Sequence, residues 1–148
     1  ERIYKVEEQD STDFEKCLNA VEAPFILALG VTGSRLDHSL AAFNALAQFS
    51  NRLIIILSGK DICFLSPSVL RLDLPVGTRI SLFPLAPVCG HSTGLLWPIE
   101  GLEFSPTGRI GTSNRTTKTR VELRFEHRHM LVILPRKHLG AVLSQLAP

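Results

Sequence analysis

The stretch that most constrains this chain is Phe25 to Phe49, FILALGVTGSRLDHSLAAFNALAQF. Phe25 to Leu29 is short and apolar and is followed at once by Gly30 and Gly33, which suits a buried parallel strand ending in a tight loop. From Ser34 onward Leu36, Leu40, Phe43, Leu46 and Ala47 recur at helical spacing, so a helix opens there with Ser34 as its expected N-cap. Arg35, Asp37 and His38 are then expected in the first helical turn, at the carboxyl end of the strand, where open α/β sheets bind ligands. Backbone N–H groups, the positive helix end and a guanidinium together favour an anion such as phosphate. A surface ion pair between Arg35 and Asp37 fits the same residues.

Upstream, Gln9 to Glu22 (QDSTDFEKCLNAVE) carries helix-start signals: Asp10 or Ser11 as cap, Asp13 in the first turn, and Phe14, Cys17, Leu18 and Val21 on one face. Pro24 stops it. An aspartate in a first turn needs no explanation beyond the helix dipole. Downstream, RLIIIL (Arg52 to Leu57) is a second apolar run, so Phe25 to Leu57 reads as one βαβ unit. From Asp61 the pattern changes to short strand-like pieces, ICFL, VLRLDL, RISLFPL, RVELRF and MLVIL, parted by proline and glycine turns. That spacing predicts an all-β sandwich or barrel-like unit. The expected division is 1–59 for the α/β part and 60–148 for the β part, with a terminal helix over Lys137 to Leu146.

The order of residues says more than the spacing. GVTGSRLDHSLAAFNAL resembles the glycine, arginine, x, aspartate, histidine segment of the thiamine pyrophosphokinases, which move a pyrophosphoryl group from ATP to thiamine. QDSTDFEKCL, RISLFPLAPVCGHSTGLLWPIEGLEF and GRIGTSNRTTKTRVEL resemble three further blocks of that family, in order, so the resemblance runs from about Gln9 to Leu134. It implies a partial Rossmann-like catalytic domain followed by an antiparallel β-sandwich, with Mg2+ and ATP as co-substrate. It implies catalytic roles for Asp13, Arg35 and Asp37, with Asp13 also the metal-facing or phosphate-facing carboxylate. Gln9, Thr12, Gly33 and Arg35 would line the nucleotide site. Asp37, Ser92, Thr93, Trp97, Ser113 and Asn114 would face thiamine, in a homodimer with shared active sites. The family's paired-aspartate loop is absent from these 148 residues, so the expectation is a chain lacking that first segment and a metal site incomplete as given.

Physical chemistry supports some of these roles directly. Arg35 is always charged and grips phosphate oxygens with a planar fork. Thiamine is a flat cation, which an aromatic face such as Trp97 would hold; the alternative for Trp97 is a core plug of the sandwich. Leu96 stands where the family often has a basic residue. His38 reads as structural or as a general base. His127 and His129 flank Arg128 in an expected hairpin tip; a solvated turn is the better reading than a metal site.

Composition bounds the rest. A net charge of +2 with 16 scattered basic residues does not suggest a nucleic-acid surface. No apolar run approaches the roughly 18 to 20 residues of a membrane span. The first residues lack the apolar core of a secretory signal. Cys17, Cys63 and Cys89 are odd in number and far apart, so they read as apolar fillers in a reduced, cytoplasmic protein. Two competing readings are a non-catalytic thiamine- or nucleotide-binding module and a carbohydrate-binding type of sandwich with an unrelated helical cap.

Overall fold

The computed structural model describes residues 8–147. Helix α1 (Asp13–Ala20) leads through Pro24 into strand β1 (Ile26–Leu29), helix α2 (Leu36–Gln48) and strand β2 (Ile54–Leu57). The strands are parallel, Ile26 opposite Ile54 and Leu29 opposite Leu57, with α2 as the crossover. Strands β3 (Asp61–Leu65), β4 (Val69–Asp73), β5 (Arg79–Pro84), β6 (Val88–Thr93), β7 (Glu103–Phe104), β8 (Gly111–Arg115), β9 (Arg120–Phe125) and β10 (Met130–Pro135) follow. A 3-10 turn, Arg136–His138, then leads into helix α3 (Leu139–Leu146).

The fold is mixed α/β, built on a six-stranded sheet in the order β1-β2-β3-β10-β5-β8 and a four-stranded sheet in the order β4-β9-β6-β7. Beyond the β1/β2 pair every strand pairing among the described residues is antiparallel. The period of two along each strand sorts the large sheet's side chains between two cores. Ile55, Leu57, Ile62, Phe64, Val132 and Leu134 face the small sheet and Val142 of α3. Ile54, Ile56, Cys63, Leu65 and Leu131 face the helices, against Leu18, Ala42, Ala45 and Leu46. RLIIIL is apolar throughout because β2 is covered on both faces.

Several details differ from the sequence expectations. The N-cap of α1 is Thr12, not Asp10 or Ser11: its side chain accepts from the Glu15 N–H while Glu15 reaches back to Thr12, a reciprocal capping box. The N-cap of α2 is Arg35, not Ser34, so Arg35 sits at the helix edge while Asp37 and His38 occupy the first turn. Ser58 to Lys60 turns a tight connection, in which Ser58 N–H donates to the Asp61 carbonyl (2.9 Å), so the large sheet continues from β2 into β3. His127 and His129 are not at a hairpin tip. β9 lies in the small sheet and β10 in the large one, so residues 126–129 step between sheets, and the two imidazoles tilt against each other at 5.8 Å. Of the cysteines only Cys63 is a buried filler, its thiol pushed up to about 12 by burial; Cys17 is exposed.

Candidate active site

Two clefts are lined by part of the residues singled out above; Asp37, Ser92, Thr93 and Ser113 line neither. The larger, about 590 Å3, opens between the first turn of α1 and the loop after β1. Gln9, Thr12 and Asp13 form one wall, Gly33 and Arg35 the other, with His38, Ala41 and Ala42 of α2 behind them. The capping box that starts α1 places Thr12 and Asp13 there. Gly30, at φ 77°, lets the chain turn out of β1 in a left-handed conformation that a side chain would resist. Arg35, the N-cap, makes no side-chain capping bond, so no side chain occupies the N–H groups of α2's first turn from that position.

Arg35 is engaged elsewhere. Its Nε donates to Asp37 Oδ1 (3.2 Å) and its Nη2 to Oδ2 (2.6 Å), a forked ion pair with both side chains about two-thirds exposed, at 66% and 65%. The hydrogen bonds and charge of Asp37 raise the guanidinium's pKa further, and those of Arg35 hold the Asp37 carboxyl below its ordinary range. Asp37 does not line the cleft. The ion-pair alternative for these residues is thus present.

The smaller cleft, about 190 Å3, lies in the β part and is lined by Trp97, Ile99, Phe104, Arg109, Thr112 and Asn114 among others. Asn114, nearly buried, fixes the Trp97 backbone from both sides: its Oδ1 accepts from Trp97 N–H (3.1 Å) and its Nδ2 donates to the Trp97 carbonyl (2.7 Å). Trp97 is left 57% exposed, so it is not a core plug. Ser113, at φ 62°, takes the left-handed conformation beside an irregularity in the β5/β8 register, and its N–H donates to Ser81 Oγ (3.0 Å). Ser92 lines neither cleft; it accepts from Ile99 N–H (3.1 Å) and its own N–H donates to Glu100 (2.9 Å), tying down the chain after Trp97. Thr93 lies at the end of β6, opposite Glu122.

Residues 1–57 match the family model of the thiamin pyrophosphokinase catalytic domain. Thiamine pyrophosphokinase 1 of Oryza sativa subsp. japonica is 30% identical over 130 residues, 77% of this chain and 49% of that protein. The chain is similar to the thiamine pyrophosphokinases over most of its own length. The thiamin pyrophosphokinase of Geobacillus thermodenitrificans superposes with a TM-score of 0.72 at 23% identity, over 86% of this chain and 62% of that one. The enzyme of Bacillus subtilis gives 0.73 at 20% identity, over 86% and 64%. These structural likenesses establish a shared fold. The chain spans about half the length of the curated thiamine pyrophosphokinases it matches.

A family of this name raises the question of magnesium. Among the described residues no three His, Cys, Asp or Glu side chains converge, and the larger cleft holds one carboxylate, Asp13. Magnesium is commonly held by one or two carboxylates with the remaining positions filled by phosphate oxygens and water, so Asp13 fits as one ligand to a phosphate-bound ion. Sequence reasoning missed Lys16, Cys17 and Thr32 in this cleft and Arg109 in the other. Lys16 was legible as the residue three after Asp13 on one helix face; Arg109 depends on pairings distant in sequence.

Proposed function

We propose that this chain carries the reaction of a thiamine pyrophosphokinase, making thiamine diphosphate and AMP from thiamine and ATP. The observation that carries the reading is the larger cleft: Gln9, Thr12, Asp13, Gly33 and Arg35, assigned to the nucleotide from the order of residues, line one cavity at the carboxyl end of β1. In the reaction the thiamine hydroxyl oxygen bonds to the β-phosphorus of ATP, the bond from that phosphorus to the α–β bridging oxygen breaks, and AMP leaves as the hydroxyl proton is lost. Such transfer needs positioning and neutralisation of charge rather than covalent help from the protein. Asp13 would hold a phosphate-bound magnesium ion, which neutralises phosphate charge when bound. Arg35, released from Asp37, would grip phosphate oxygens, and Asp37 would then turn to the substrate or metal. Gln9, Thr12 and Gly33 would orient the nucleotide.

On this reading residues 1–59 are the nucleotide part, a partial Rossmann-like unit, and 60–148 the thiamine part, a β-sandwich of the small sheet facing β3, β10, β5 and β8, which share the large sheet with β1 and β2. Ser92, Thr93, Trp97, Ser113 and Asn114 belong to the thiamine side, the Trp97 ring offering a face to the cation. The two clefts flank opposite edges of one sheet. β1 and β8 are five strand steps apart in the order β1-β2-β3-β10-β5-β8, which at the usual spacing is roughly 24 Å. Reacting atoms must approach to about 3 Å, so a homodimer in which one chain's nucleotide side meets its partner's thiamine side is the reading we adopt. Three unpaired cysteines accord with a cytoplasmic location, and no helix among the described residues is long and apolar enough to cross a membrane.

The single carboxylate and the Arg35–Asp37 pair favour a second reading, a module that binds thiamine or nucleotide without turnover. Titration calorimetry with thiamine and with Mg-ATP, alongside an assay for AMP, separates the two. Binding of both with AMP formed supports the enzyme; binding without AMP supports the module; binding of neither rejects both.

A further inference from the structure

Helix α1 has eight residues, too few to hold together alone, yet it forms a whole wall of the larger cleft. Its cleft-lining residues are Thr12, Asp13, Phe14, Lys16 and Cys17; Glu15 and Leu18 are absent from that lining. Leu18 is buried in the helix-side core. Glu15 is the junction of a hydrogen-bond chain that starts on α2. Gln48, the last residue of α2, donates from Nε2 to Glu15 Oε1 (2.8 Å) and also to Asn44 Oδ1 (2.6 Å), one turn back on its own helix. The other oxygen of Glu15, Oε2, accepts from Thr12 N–H (2.7 Å) and Thr12 Oγ1 (2.8 Å), on the cleft wall itself.

The other end of α1 is fastened from the same region. The last turn of α1 has no basic residue of its own. Arg52, just before β2, fills that place: its guanidinium donates to the carbonyls of Leu18 and Val21 and lies over the Phe49 ring at 6.0 Å. A cation there satisfies carbonyls the helix leaves free and opposes the negative end of its dipole. The amino-terminal half of α2 thus lines the cleft through His38, Ala41 and Ala42, while its carboxyl end and Arg52 grip the opposing wall.

We propose that Gln48 and Arg52 are positioning residues that set the width of the cleft, holding Thr12 and Asp13 opposite Gly33 and Arg35. The inference rests on the nucleotide reading of that cleft and adds residues that touch no ligand. With either clasp gone, α1 stays attached through Leu18 and Phe14 but pivots, and the wall bearing Asp13 loses its fixed distance from Arg35.

The test compares the unaltered chain with Gln48→Leu, Gln48→Glu, Arg52→Met and Arg52→Lys. Hydrogen exchange of the α1 amides and calorimetric affinity for Mg-ATP are read on each. Gln48→Glu keeps the side chain's size and sets like charges opposite, so it serves if Arg52→Met does not fold. The expected result is α1 exchange faster by about tenfold, with β3 and β10 unchanged, and Mg-ATP binding weaker by roughly three- to tenfold, as the loss of about one net hydrogen bond predicts. Arg52→Lys, which keeps the charge but not the fork, should recover only part of the loss. Faster α1 exchange with Mg-ATP affinity within twofold of the parent would show a merely structural clasp and overturn the inference, as would weaker binding with α1 exchange unchanged. An unaltered chain that binds no Mg-ATP would sink the nucleotide reading and this inference together; one that binds it, with all four variants equal to it, would sink the inference alone.

Discussion

Asp13 is the one carboxylate lining the larger cleft, and it is exposed, so its charge and its contribution to folding can be separated. Asp13→Asn forfeits a helix-dipole interaction of about 0.3–1 kcal/mol and should leave the melting temperature nearly unmoved. Turnover should fall by roughly 100- to 1,000-fold through lost alignment of magnesium and phosphate. An AMP-release rate within about twofold of the parent would remove Asp13 from the chemistry. Arg35→Lys should raise the apparent ATP constant and lower turnover, because an ammonium cannot fork across phosphate oxygens. If it changed only thermal stability, the Arg35–Asp37 pair would be a surface device and no more. Arg109 allows a test of the opposite sign in the smaller cleft. It is the only charged residue lining that cleft among the described residues, and it is a cation where the proposed ligand is also a cation. Arg109→Gln should therefore tighten thiamine binding by about two- to fivefold, as removing a screened like charge near the surface predicts. Weaker binding in that variant would place thiamine elsewhere or give Arg109 a direct role.

At the scale of elements, the Trp97 turn depends on one side chain. Asn114→Ala leaves the Trp97 N–H and carbonyl without the partner that now meets both, a loss of about 0.5–1.5 kcal/mol for each bond at this part-buried turn. Trp97 is the only tryptophan, so its emission should shift and become more quenchable in that variant. Unchanged emission and stability would mean the turn is held otherwise. How far such elements were legible follows from what buries them. VLRLDL alternates because β4 has one face in the core and one outside, and RLIIIL is uniformly apolar because β2 has two. β6 and β8 escaped the sequence reading because VCGHST and GTSNR offer almost no apolar signal. Their glycines are explained by close approach: a Cβ on Gly90 would collide with the Arg124 carbonyl and the Phe125 ring, and one on Gly111 would press on Leu82 at 3.1 Å. The larger cleft was readable because a helix start and a loop, each continuous in sequence, build most of it. The smaller was readable only at Trp97 and Asn114, since Arg109 and Thr112 join it through pairings that no local pattern encodes. The α2 cap was misplaced by one residue because Ser34 has the better capping side chain but Arg35 takes the extended backbone at the helix edge, at φ −88° and ψ 112°.

The whole molecule offers one test of its stability and one of its assembly. His138, buried between β10 and α3, leaves its Nε2 without a partner among the described residues, and burial together with neighbouring Lys137 lowers its pKa below the ordinary 6.5. Below about pH 6.5 the unfolded chain takes up a proton that the folded chain refuses, so this contribution to stability is intact above that value and is lost as pH falls toward the folded pKa. Urea midpoints between pH 7.5 and 5 should decline, and His138→Gln should flatten the decline; equal slopes in the two proteins would assign it to other groups. Assembly is tested by the geometry of the large sheet. Its two clefts flank opposite edges, roughly 24 Å apart by strand spacing, and the proposed reading joins Asp13 and Trp97 across two chains. The tight Ser58 to Lys60 connection continues the sheet from β2 into β3. On that proposal a two-fold partner would present its thiamine side to the first chain's nucleotide side and receive the reverse. Trp97→Ala and Asp13→Asn, each inactive alone, should then complement when mixed and allowed to exchange subunits. About half the dimers would be mixed, and each would carry one site with both faults and one with neither, so activity should recover to roughly a quarter of the parent's. Exchange verified by mass, with no activity recovered, would place both residues in a site built within one chain and would require the two edges of the sheet to be joined in some other way.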